Sequence, residues 1–148
     1  MLKETLTNDM KDAMRKKEKE KLATIRMILS AVKNAEIQEK KELKKDEDIH
    51  PLIQKEIKQT KDSQDAYKSQ PGYDDKVEEL QRRIDTLMGY LPKQLTEAEL
   101  KEIIETLMSE LNIQGKQEKG KLMGALMPKV KGKAEGALVN KLVTEALN

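Results

Sequence analysis

Apolar residues recur along the chain at the spacing of one helix face, and a charged or turn-forming run interrupts each stripe. Leu2, Leu6, Met10, Ala13 and Met14 form the first stripe, which the charged run from Lys16 to Lys21 ends. A longer stripe follows through Leu22, Ile25, Ile28, Leu29, Val32 and Ala35, with Lys33, Asn34, Gln38 and Glu39 on the outer side. The stretch from Lys40 to Asp48 is almost wholly charged. Asp46 or Asp48 can cap a third helix that carries Pro51 in its first turn and Ile49, Leu52, Ile53, Ile57 and Thr60 on its apolar side. Ser69, Gln70, Pro71 and Gly72 then break the chain, since a Pro-Gly pair suits a turn. Asp74 and Asp75 favour the start of a fourth helix through Val77, Leu80, Ile84, Leu87 and Met88.

The run Gly89 to Pro92 closes that helix, which places a subdomain boundary at Leu91 to Leu95. Thr96 followed by Glu99 reads as a capping box ahead of Leu100, Ile103, Ile104, Leu107 and Leu111, and Asn112 and Gly115 mark the end of that helix. Two further helical stretches, Leu122 to Met127 and Leu138 to Leu147, join around Gly132, the last starting near Glu135 and closing a small bundle over a Met123 and Met127 face. No alternation of period two has useful length. The pattern predicts an all-α, multihelical fold: about four helices in a first subdomain, residues 1–91, followed by a three-helix bundle, residues 96–148.

Composition narrows the chemistry. With no Phe, no Trp and three Tyr in 148 residues, the core must be built from aliphatic side chains. The absence of cysteine removes disulfides, zinc-cysteine sites, iron-sulfur clusters and thiol nucleophiles. Lys plus Arg is 29 against 27 for Asp plus Glu, so any basic surface must be local. The N-terminal segment lacks the apolar core of a signal peptide and the chain is too polar for a membrane span, which predicts a cytoplasmic protein with no membrane partner.

The constellations of catalysis are not found. His50 stands alone beside Pro51 in a charged, exposed turn, with no second imidazole to share a metal. Ser30, Ser63, Ser69 and Ser109 lie on helices or their ends and none sits in a nucleophile elbow. Pairs such as Glu78/Glu79 and Glu102/Glu105 interleave with basic residues as solvated helix faces do. Gly115, Gly120 and Lys121 match the glycines and lysine of a phosphate-binding loop, but Leu122 replaces the hydroxyl that meets magnesium, and a glutamate-rich helix precedes them instead of a strand. No catalytic residue, metal ligand or cofactor is expected.

One segment stands out. Between residues 116 and 133, Lys116, Lys119, Lys121, Lys129, Lys131 and Lys133 face a single acid, Glu118. Gly120 and Gly124 lie on one helical side and lower helix stability by about 1 kcal/mol each relative to alanine, which points either to close helix packing or to approach by a ligand. Lys129, Lys131 and Lys133 around Gly132 read as a mobile basic corner able to place ammonium groups along a phosphate backbone, or as ordinary solvated lysines. Arg26 flanks the Ile25 and Leu29 stripe, a position suited to an intramolecular pair with a glutamate.

The block KGKLMGALMPKVKGKAEGALVNKLV, together with LTNDMKDAMRKKEKEKLATIRMILSAVKNAEI and LMGYLPKQLTEAEL, resembles the YqeY family of bacterial proteins over essentially the whole chain. The C-terminal block is also similar, more weakly, to the tail domain of GatB, the B subunit of glutamyl/aspartyl-tRNA amidotransferase. The resemblance implies two all-helical subdomains and, for the tail, docking on the outer body of tRNA. Its matching positions are Lys121, Gly124, Met127, Lys129, Lys131, Gly132, Lys133, Asn140 and Leu142. Glu135 departs from the Asp or Asn that often precedes the last helix in the family.

Three functions follow. In the first, a tRNA-associated module grips phosphates through the lysines of residues 116–133 while the N-terminal helices act as scaffold or second contact. In the second, kinship implies a glutamine-dependent carbon-nitrogen ligase; the residues argue against such catalysis by this chain alone and leave it an accessory to an amidotransferase. The third is a helical protein-interaction adaptor, for which core positions of Met123 and Met127 would leave little adaptable surface.

Overall fold

The computed structural model describes residues 1–148 and contains seven α-helices and no strand: α1 (Leu2–Arg15), α2 (Lys19–Glu39), α3 (Asp46–Lys68), α4 (Asp74–Met88), α5 (Glu97–Glu110), α6 (Lys119–Val130) and α7 (Gly136–Leu147), with a short 3-10 turn at Lys116–Glu118. The all-α class and the four-plus-three arrangement are thus observed. The chain divides into two compact units, Met1–Leu91 and Pro92–Asn148.

In the first unit α3 and α4 pack as a hairpin, and α2 lies against α1, α3 and α4. The apolar stripes supply the core: Leu6 of α1, Ile25, Ile28 and Val32 of α2, Ile49, Ile53 and Ile57 of α3, and Ile84 and Leu87 of α4. The turn between α3 and α4 is held twice. Gly72 takes a left-handed conformation (φ 88°), and the Tyr67 and Tyr73 rings meet across it at 5.0 Å. One turn deeper, the buried Gln64 amide donates to the Val77 carbonyl at 3.1 Å and to Gln81 Oε1 at 3.0 Å. Buried Thr24 and Thr60 donate to the carbonyls of Glu20 and Glu56 one turn back, and no buried side-chain polar atom lacks a partner.

Charged residues secure the helix ends. Asp46 Oδ1 accepts the N–H of Leu2 at 2.9 Å, so the first acid of α3 caps the start of α1. Glu36 accepts from Lys3 Nζ at 2.8 Å and from the Leu43 N–H at 2.9 Å, which ties down the charged stretch before α3. Helix α3 starts at Asp46, so Pro51 stands in its second turn and not its first; His50 accordingly lies within the helix, half-buried, instead of in an exposed turn. Three acids at the start of α3 suit its macrodipole. Tyr90, half-buried, donates from its hydroxyl to Asp9 Oδ2 at 2.6 Å; burial and that carboxylate push the phenol well above its usual range.

In the second unit α5 begins with the anticipated capping box: Thr96 Oγ1 accepts from the Glu99 N–H at 3.1 Å and Glu99 returns to the Thr96 N–H at 3.3 Å. It ends with left-handed Asn112 (φ 52°), whose N–H reaches the Ser109 carbonyl while that of Ile113 reaches Met108, a Schellman motif. The core is Leu100, Ile104 and Leu107 of α5, Leu122, Leu126 and Val130 of α6, and Val139, Leu142, Val143 and Leu147 of α7. The face of α6 that packs is therefore the Leu122, Leu126, Val130 row. Met127 lies one position round from Leu126, about 100° of helix rotation, and is 39% exposed; Met123 is only partly buried. The expected methionine core face is corrected on this point.

Ile28 is fully buried at the centre of the first unit, and replacing it with alanine should lower unfolding free energy by about 2 to 5 kcal/mol in urea denaturation. Acid should weaken the same unit. Hydrogen bonds from Arg82 to Glu20 and from Lys3 to Glu36 hold both carboxyls below the ordinary carboxylate value. Their contribution is present in full above that value and is lost as pH falls through and beneath it. The urea midpoint should therefore drop between about pH 5 and about pH 3 and drop less in a Glu20→Gln, Glu36→Gln variant.

Candidate nucleic-acid interface

The six lysines singled out in the sequence do not form one patch. Lys116, Lys119 and Lys121 gather at the 3-10 turn and the start of α6, whereas Lys129 lies in its last turn and Lys131 and Lys133 just beyond it. Between Lys121 and Lys129 the helix rises about 12 Å, so the segment presents two basic triads joined by an uncharged strip.

The first triad opposes the helix dipole. No acid stands in the first turn of α6, and its N-cap residue, Glu118, makes no capping bond; the carboxylate turns back to accept the Gln114 N–H at 2.5 Å. Lys119 Nζ reaches Thr144 Oγ1 at 3.2 Å and Lys121 Nζ reaches the Leu111 carbonyl at 3.4 Å, neutral acceptors that leave both positive charges uncompensated. Lysines at the positive end of a helix raise the local potential instead of relieving it.

The second triad is built on a type II turn. Lys131 (φ −56°, ψ 123°) and Gly132 (φ 78°) occupy its central positions, and the Lys133 N–H donates to the Val130 carbonyl at 2.8 Å. Gln94 Nε2 donates to the Gly132 carbonyl at 2.8 Å, and the Leu95 N–H donates to the Lys133 carbonyl at 2.8 Å. Residues 92–95 thus belong to the second unit and strap the turn from outside. The corner expected to be mobile is pinned at three carbonyls, with Gly132 buried and the flanking Lys131 and Lys133 exposed. Lys129 lines a shallow groove with Glu102 and Glu110, so two acids share its surroundings.

The strip between the triads is open. A Cβ built at Gly120 or Gly124 would meet nothing within 4 Å, so neither glycine serves close packing inside the protein. Together with Met127 they make a low exposed ridge on α6. The segment from Gly115 to Lys121 is a 3-10 turn running into this helix after α5, and it has no strand-to-loop cradle for a nucleotide. Glu135, at the start of α7, makes no side-chain capping bond.

Sequence reasoning missed Gln94 and Leu95, whose partners lie 38 residues away and left no local signal. It also misjudged Arg26, which is exposed with no carboxylate within 4.0 Å.

The Yqey-like protein family matches residues 3–147, and the chain belongs to it. It is also 34% identical over 145 residues to altered inheritance of mitochondria protein 41, mitochondrial, of Pyrenophora tritici-repentis (strain Pt-1C-BFP), a match covering 96% of this chain and 78% of that protein. That name places the relative in mitochondria. No helix of the present chain is long and apolar enough to cross a membrane.

Because Gly132 needs a left-handed conformation inside a strapped turn, Gly132→Ala should cost about 1 to 2 kcal/mol of stability, read by urea denaturation.

Proposed function

We propose that the protein is a tRNA-associated helical module that holds the phosphate backbone through the lysines of residues 116–133 and leaves any chemistry to a partner enzyme such as an amidotransferase. The observation that carries the reading is the α6 surface: Lys119 and Lys121 stand to either side of an exposed ridge at Gly120 and Gly124, and Lys131 and Lys133 follow beyond the end of the helix. Glycine at these sites costs helix stability, and intramolecular packing does not offset it, which favours the alternative of approach by a ligand.

Phosphates suit such a surface. Lysine ammoniums act as point charges, and with three tyrosines and no Phe or Trp there is little surface for base stacking. Recognition would follow RNA shape and backbone, and affinity would depend strongly on salt. A tRNA partner is compatible with the cytoplasm and with the mitochondrial matrix alike.

The test is retention of bulk tRNA across a salt series by the full chain and by two triple variants, Lys116→Ala/Lys119→Ala/Lys121→Ala and Lys129→Ala/Lys131→Ala/Lys133→Ala, each checked by circular dichroism. Removing a lysine that neutralises one phosphate should lower the log-log salt slope by about 0.7 to 0.9. Absence of binding at low salt, or an unchanged slope in both folded variants, would reject the reading. Ribonuclease-resistant capture of a protein partner, with no tRNA retained, would instead favour the adaptor function.

A further inference from the structure

The outer face of α2 in the first unit carries a regular row of positive charge. Lys19, Arg26 and Lys33 are spaced seven residues apart, and Lys40 follows at the same interval, at the left-handed residue that ends the helix. Seven residues fall about 20° short of two turns, so the side chains line one stripe, separated by about 10.5 Å of axial rise. All four are exposed and none forms an ion pair.

The acids of α2 are engaged elsewhere. Glu20 is gripped by Arg82 through two bonds of 2.8 and 2.9 Å, and Glu36 by Lys3 and the Leu43 N–H. Glu39 points off the stripe, with Lys41 at 4.0 Å. Ala23 and Ser30 alternate with the cations, so the ridge between charges is low. At its N-terminal end the stripe opens into a cleft of about 630 Å³, to which Lys17, Lys21 and Arg83 add cations and Glu18 and Glu79 add acids.

We infer that this face of α2 is a second phosphate-backbone contact, made by the N-terminal unit with an RNA duplex. A row of cations over about 21 Å, from Lys19 to Lys33, complements a rod of regularly spaced phosphates. Ala23 and Ile37 are too few apolar residues for the stripe to insert into a lipid surface. The inference takes its partner class, RNA, from the proposed function but rests on different residues in a different unit.

The test uses the full chain with Arg26→Ala/Lys33→Ala, exposed positions where alanine favours helix, and bulk tRNA across a salt series. The log-log slope should fall by about 1.4 to 1.8 for the two cations removed, and Arg26→Lys should leave it unchanged. A folded double variant with the wild-type slope overturns the inference, and if the α6 triples then show a reduced slope the proposed function stands alone. A reduced slope in the α2 variant while both α6 triples keep theirs supports the inference and defeats the proposed function. No tRNA binding by wild type at low salt overturns both. If the α2 substitutions weaken binding to phosphatidylserine vesicles and not to tRNA, the face is a membrane contact and the inference falls.

Discussion

Burial of branched aliphatic side chains in two separate small cores is the constraint on which everything else in this protein depends. Each fully buried Leu, Ile or Val contributes about 1.5 to 3 kcal/mol, and no Phe or Trp is present to concentrate that burial in a few positions. A unit as short as Pro92–Asn148 buries a smaller share of its surface than a larger domain does, so its stability rests on a few rows from three helices. Precise termination of those helices then matters: the capping box at Thr96, the Schellman turn at Asn112 and the Gln94–Leu95 strap satisfy backbone groups that water would otherwise have to reach.

Confining the apolar residues to inner rows leaves long outer faces to charge, and pairing decides what those faces do. In the first unit several acids are consumed by structure: Asp46 at the start of α1, Glu36 between Lys3 and Leu43, Glu20 with Arg82, Asp9 with Tyr90. The cations on the outside of α2 are left without them. In the second unit the same separation acts through sequence position, because five of its eight acids lie on α5 while the segment from residue 116 to 133 holds six lysines and one glutamate. A chain with net charge +2 thereby carries local basic surfaces that its total conceals.

The glycines of α6 show how the site and the fold divide the helix between them. Leu122, Leu126 and Val130 hold one side in the core, and the other side gives up helix propensity at Gly120 and Gly124 without any internal contact in return. Gly132 differs in kind: its positive φ is required by the turn that sets Lys131 and Lys133 outward, so it is structural even though it borders the candidate interface.

The sequence by itself determined the helices, the break near residue 92, the Thr96 capping box, the family and the lysine-rich segment, because each is written in spacings of a few residues or in a contiguous phrase. It also held the seven-residue row of cations on α2, yet Arg26 read as half of an ion pair until its surroundings were known. Only the tertiary structure decided that Arg26 stands free, that Met127 faces outward, and that Gln94 fastens the Gly132 turn. Helical periodicity fixes which residues share a face. Which face is covered, and which charge finds a partner, depends on contacts between residues distant in the chain, and those are set by how the rows of one helix seat in the next.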